Sequence, residues 1–240
     1  MHQFHCPDLP DKFADDLSVQ LDAKQAHHAR NVIRLREGDT VGLFRGDGIV
    51  AEATIATWPE SKRGTAELSV TKLTLAERPK PSITLAVAIP KGSHADTMIG
   101  QLSQVGADDV YPMTTEHSIV DPRPTKLKRF ADNAIESAKQ CGRSYLMNVH
   151  APISFEDALA LEADLKLLAA PGVGDSPAVG ADAERLLILV GPEGGWHESE
   201  LSAAADVGFA RWDLGPHIMR IETAAVAACA IARYLTRPPL

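Results

Sequence analysis

Long hydrophobic runs are missing from this chain of 240 residues. No apolar stretch approaches the roughly 20 residues that a bilayer span needs. The first residues, MHQFHCPDLPDKFADD, have no basic segment leading into an apolar one, so no secretory signal is visible. Cysteine is scarce: Cys6, Cys141 and Cys229 are scattered and form no CxxC pair. That excludes a disulfide framework and a thiolate zinc site, and it fits a reducing cytoplasm. No His/Cys/Asp group has metal-ligand spacing, and no metal is expected. Excess positive charge is also absent. The formal net charge of −8 speaks against a protein that coats nucleic acid along its whole surface. One basic stretch stands out, with Arg123, Lys126, Lys128 and Arg129 close together and Lys139 and Arg143 following at helical distances. Such a cluster reads first as a solvated helix face.

What is present is a globular composition, with 45% hydrophobic residues, in two unlike halves. Up to about residue 75 the pattern is β-rich. DTVGLFRGDGIVAEATIAT alternates apolar and polar residues around Arg45-Gly46-Asp47-Gly48 and predicts a hairpin. AELSVTKLTLAE predicts a further strand, and KQAHHARNVIRL a short helix. A small barrel or sandwich follows. ERPKPS, residues 77–82, reads as a linker. Beyond it ITLAVAIP, VYPM, LKLLAA, RLLILV and ARWDLG predict strands. HADTMIGQLSQVGADDV, TKLKRFADNAIESAKQCG, FEDALALEADL and ESELSAAADVGF predict helices. Continuous apolar strands alternating with helices imply an α/β half with a largely parallel sheet. PGVGDSPAVGADAE, residues 171–184, reads as a Gly/Pro-rich surface loop.

Two stretches could carry chemistry. RLLILVGPEGGWHESEL runs from a buried strand through Gly191-Pro192-Glu193-Gly194-Gly195 into a helix. Glycines there allow close backbone approach to a ligand, although a tight turn alone would also explain them. Neither GxGxxG nor GxxxxGK[ST] is present, so the loop is not a dinucleotide or ATP cradle. A ligand held by backbone groups rather than through phosphates fits better, and S-adenosylmethionine is one. The second stretch, LGPHIMRIETAAVAACAI, turns at Gly215-Pro216 and enters a small-residue helix. Thr223 can cap that helix, and Glu222 suits its positive end. Arg220 is a cation near the same end, against the local dipole, and hints at a site.

GPEGG, then LGPxIxRxETA and a small-residue helix, resembles the RsmE family of SPOUT-class ribosomal RNA methyltransferases. HHARNVIRLREGDTVGLFRGDG and KQCGRSYLMNVH are similar to two further segments of that family, in the same order. The resemblance implies an α+β two-domain chain. Residues 1–76 would form a PUA-like β-barrel that binds RNA. Residues 82–240 would form an α/β SPOUT domain with a deep trefoil knot, which binds cofactor and dimerises. It implies a cytoplasmic homodimer that uses S-adenosylmethionine to methylate N3 of a uridine in 16S ribosomal RNA, in the small subunit.

Carried over by position, the cofactor residues are Leu168, Ala169, Gly191, Glu193, Gly194, Leu214, Gly215, Ile218, Met219, Arg220 and Thr223. Arg220 would stabilise the developing anion. Glu222 would orient Arg220, take the proton, or only cap the helix. Arg30, Arg34, Arg123, Lys126, Arg143 and His217 would meet RNA. Gln3, Gln101, Gln104, His117 and His217 replace residues usual in the family, and the replacements thin the positive charge of the RNA face. A paralogue acting on another RNA position, or a non-catalytic RNA-binding dimer, are therefore the alternatives.

Overall fold

The computed structural model describes residues 1–61, 64–119, 123–172 and 183–237. Its contacts divide into two compact units, Met1–Arg78 with Ala138–Leu146, and Pro79–Ser137 with Met147–Leu240. Most of the loop expected at 171–184 lies outside the described residues.

The first unit holds β1 (Gln3–His5), β2 (Ser18–Leu21), α1 (Ala23–His27), a π-helical turn (His28–Ile33), β3 (Thr40–Phe44), β4 (Ile49–Thr57) and β5 (Ala66–Leu75). The sheet order is β1-β3-β4-β5-β2. The hairpin forms as its alternation predicts, with Phe44 opposite Val50 and Ile49, Ala51, Ala53 and Ile55 turned inward. The helix expected at 24–35 is shorter and irregular. It widens into the π turn and stops at Arg34, whose φ of 68° is left-handed. The 138–146 segment packs on the hairpin turn. Gly46 lies against Leu146, and the Tyr145 hydroxyl donates to the Ala76 carbonyl at 3.0 Å.

The second unit holds β6 (Ser82–Ala88), α2 (His94–Val105), β7 (Asp109–Thr114), α3 (Pro124–Cys141), β8 (Asn148–Val149), β9 (Ile153–Ser154), α4 (Phe155–Leu159), β10 (Leu165–Ala169), β11 (Arg185–Val190), α5 (Glu198–Asp206), β12 (Ala210–Trp212) and α6 (Ile221–Leu235). Every strand pair in its sheet is parallel, in the order β12-β10-β11-β6-β7-β8, and β9 also pairs with β7. The apolar run of β11 is explained by burial on both faces. Leu186, Ile188 and Val190 join a cluster with α2, α3 and α6, while Leu187 and Leu189 face α4 and α5.

The strand order positions the site. From β6 the chain steps outward to β7 and β8. It then crosses to β10 on the other side and returns to place β11 between β10 and β6. The carboxyl ends of β10, β11 and β12 therefore open side by side. In parallel sheets ligands bind at those ends, where the strand order reverses.

Two helix expectations are corrected. The helix read at FEDALALEADL stops at Leu159, because Asp164 is drawn to the start of β11. Its carboxylate meets Arg185 at 3.0 Å, and its amide donates to the Arg185 carbonyl. Thr223 caps nothing. Helix α6 begins at Ile221 with an extended Arg220 as N-cap, which makes no side-chain cap, and Thr223 is an exposed third residue.

Candidate active site

Three loops meet at the carboxyl edge of the parallel sheet: 169–171 after β10, 191–196 after β11, and 213–219 after β12. They enclose a cavity of about 330 Å³, floored by Val190 and Trp212 and closed on one side by Ile221 and Ala224 of α6. Each loop has a local reason for its shape. The Gly195 amide donates to the Pro192 carbonyl at 3.0 Å and closes the GPEGG turn, with Gly195 at a φ of 75°. The Gly215 amide donates to the Asp213 carboxylate at 2.9 Å, and the left-handed φ of 138° at Gly215 leaves open space beside it. The Trp196 indole N–H donates to the Ala169 carbonyl at 2.9 Å and ties the first loop to the second. A Cβ on Gly191 would lie 2.7 Å from the Trp196 ring.

The GPEGG loop is also braced from outside. His117 Nδ1 lies 3.1 Å from the Gly195 carbonyl, and its Cβ sits against Gly194. Glu200, buried at the start of α5, accepts from the His197 amide at 2.9 Å and from the Glu116 amide at 3.0 Å. The turn that precedes α3 is thereby fixed to the turn that precedes α5.

The cavity wall is apolar and backbone-rich, with the carboxylates of Glu193 and Asp213 and, among the described residues, no lysine or arginine. This electrostatic pattern rejects a phosphate and suits a cation. Of the expected cofactor residues, the wall brings together Ala169, Gly191, Glu193, Gly194, Leu214, Gly215, Ile218 and Met219. Leu168 points away into the cluster under α4 and α5. Arg220 and Thr223 are outside the wall, although Met219 and Ile221 on either side of Arg220 are in it. Trp196, Trp212, Ile221 and Ala224 are not among the expected residues. Trp196 directly follows GPEGG, which is a usable signal.

Arg220 is exposed and, among the described residues, its guanidinium has no hydrogen bond or ion pair. Glu222 does not orient it. Its carboxylate lies 3.1 Å from His94 Nδ1 at the start of α2. His217, exposed in the wall, is the one expected RNA residue that reaches the cavity. Arg123 and Lys126 stand at the start of α3. Burial of Lys126 against Phe130 pulls its ammonium below the usual lysine value, opposed by Asp96. Arg30, Arg34 and Arg143 lie in the first unit, where Arg30 donates to the Pro59 carbonyl at 3.0 Å. Gln101 and Gln104 are exposed on α2.

Comparison with known proteins adds sequence kinship to this geometry. The family model of an RNA methyltransferase domain matches residues 76–233, and that of an RNA methyltransferase PUA domain matches residues 21–57. The chain is 34% identical over 223 residues to the ribosomal RNA small subunit methyltransferase E of Synechocystis, covering 90% of this chain and 72% of that protein. It is 28% identical over 235 residues to the protein of the same name from Bacillus subtilis, covering 91% of each. A crystal structure of ribosomal RNA small subunit methyltransferase E from Neisseria gonorrhoeae, bound to S-adenosyl methionine, superimposes with a TM-score of 0.87. That pair shares 28% identity over 98% of both chains.

Proposed function

This chain belongs to the RNA methyltransferase family that includes the ribosomal RNA small subunit methyltransferase E proteins, and from that premise we propose the reaction it performs. It transfers a methyl group from S-adenosylmethionine to N3 of a uridine in 16S ribosomal RNA. The observation that carries this reading is the cavity at the ends of β10, β11 and β12, with an exposed arginine, unpaired among the described residues, beside its wall.

The residues present fit the methyl donor. Backbone groups of the three loops can read an adenine, and Leu214, Ile218 and Met219 offer apolar surface for its faces. The carboxylates of Glu193 and Asp213 complement a positive ligand. When bound, S-adenosylmethionine supplies a methyl group that is already electrophilic. The protein has two tasks left. It must hold N3 in line with that methyl group, and it must help N3 lose its proton. Arg220 is free to face the uracil oxygen or a neighbouring phosphate as negative charge develops.

The finer architecture belongs to the same proposal. The insertion of β11 between β10 and β6 supports a trefoil knot around the cavity. Exposed Ile231, Tyr234 and Leu235 on α6 support pairing of two copies. The basic residues of the first unit support an RNA-binding role for residues 1–76. No helix among the described residues is long and apolar enough to cross a membrane. A cytoplasmic location agrees with a ribosomal substrate.

The direct test is transfer of labelled methyl to purified small ribosomal subunits that lack the uridine N3 methyl group, followed by digestion and mass spectrometry. The expected product is 3-methyluridine at a single position. Cofactor binding without any transfer would favour a non-catalytic RNA-binding dimer, and a different methylated nucleotide would favour a paralogue with another target. A second expectation concerns Trp196. Trp196→Phe removes one hydrogen bond, worth about 1 kcal/mol, so cofactor affinity should fall roughly 5-fold by titration calorimetry. Unchanged affinity would mean that the tie to Ala169 does not shape the pocket.

A further inference from the structure

The helix starts of α2 and α6 bring together two groups that the sequence keeps far apart. His94 is the first residue of α2, and Glu222 lies in the first turn of α6. Glu222 Oε1 is 3.1 Å from His94 Nδ1. A carboxylate accepts only, so in the neutral ring the tautomer that suits this contact has its hydrogen on Nδ1 and its lone pair on Nε2. The Glu222 side chain is 15% exposed and that of His94 is 54% exposed, so the carboxylate is sheltered while the ring reaches outward. Among the described residues Nε2 has no hydrogen-bond partner. Ile221 and Ala224, on either side of Glu222, line the cavity, and the exposed Arg220 stands two residues before it.

A carboxylate that orients an imidazole and leaves its second nitrogen free is the arrangement of a general base. We propose that His94, oriented by Glu222, is the proton acceptor of the reaction. The inference rests on the uridine N3 reading, because that atom carries a proton that must leave. The N3–H proton passes to His94 Nε2. The electron pair left on N3 forms the bond to the methyl carbon. The carbon–sulfur bond of the donor breaks, and its pair stays on sulfur as a neutral thioether. Glu222 balances the imidazolium charge through Nδ1–H. Arg220 faces the uracil oxygen that shares the transient negative charge.

The charged group in contact with His94 is Glu222 of α6, and Asp96 follows two residues along its own helix, facing Arg129 and Lys126 of α3. Arg129 meets one oxygen of Asp96 at 2.7 Å, and the carboxylate in contact with the imidazole is that of Glu222. A protonated imidazole cannot accept a proton, so the rate should fall in acid and level off as pH rises.

The test compares the wild-type protein with His94→Ala and His94→Asn, on small ribosomal subunits lacking the methyl group and with saturating S-adenosylmethionine. His94→Asn keeps an N–H for Glu222 but has no Nε2. Both variants should bind cofactor normally by calorimetry and melt as cooperatively as wild type. Both should lose about 10²-fold in kcat at pH 7. Their rate should climb with hydroxide without a plateau, and added imidazole should partly restore His94→Ala. Wild-type kcat and pH profile in His94→Asn would overturn the proposal and leave the pair as a clamp between helices. That outcome is distinct from a failure of the uridine N3 reading. If the wild-type product is not 3-methyluridine, the reading itself falls and the proposal with it.

Discussion

Arg220→Ala is expected to lower methyl transfer by about 10³-fold, while cofactor affinity changes little. The magnitude follows from removing a preorganised donor aimed at developing charge. The structure makes this a clean substitution. Arg220 is the N-cap of α6 by its backbone alone, with the Ala224 amide donating to its carbonyl at 2.8 Å, and its side chain caps nothing. No ion pair is lost among the described residues, so stability should hold. The measurement is single-turnover transfer at saturating cofactor, with a thermal melt as control. Arg220→Lys should recover only part of the rate, because an ammonium lacks the planar fork of a guanidinium. A fully active Arg220→Ala with native folding would end any role for this side chain in the chemistry.

Gly191→Val should remove cofactor binding without unfolding the protein. Even a single Cβ at this position would lie 2.7 Å from the Trp196 ring, and valine adds two methyl groups beyond it. The indole cannot retreat without breaking its bond to the Ala169 carbonyl and its packing against Phe155, 5.6 Å away between ring centres. Overpacking of this kind costs about 1–3 kcal/mol for small insertions. Three added carbons at a loop junction place the effect at the upper end, and a loss of roughly 10²-fold in affinity is expected. Calorimetric titration reads it directly, and the gradual quenching of Trp196 and Trp212 offers a second signal. Affinity within a few-fold of wild type would show that the cofactor does not depend on the 191–196 loop.

Much of this arrangement can be read from residues, and the reasons divide sharply. The apolar runs at 83–90 and 185–190 announce strands buried on both faces, because nothing but a covered parallel sheet hides every side chain. The hairpin around Gly46 and Gly48 announces itself by alternation. The GPEGG loop and the turn at Gly215 are local signals, and they do line the cavity. The strands β1, β2, β8 and β9 have two to four residues each, too few for a period to register. Helix α4 reads longer in the sequence than it is, because Asp164 and Arg185 outweigh the helical preference of ALALEA. The pairing of Glu222 with His94 joins residues more than a hundred positions apart, and no local pattern encodes it. Capping is a sufficient role for Glu222 in the sequence for the same reason: there its only visible neighbour is its own helix.

The placement of β11 has a temporal side. It pairs with β6 along its length, Ser82 beside Arg185 through Val87 beside Val190, about a hundred residues apart in the chain. Synthesis adds roughly 5–20 residues per second. The apolar β6 therefore leaves the ribosome and waits on the order of ten seconds for the strand that will cover one of its edges. During that interval an unpaired strand edge is open to other nascent chains. The last central strand must also enter between two neighbours rather than add to a margin. Yield of native protein should thus depend on how fast the 150–190 segment is translated, a pressure that acts on the messenger as much as on the fold.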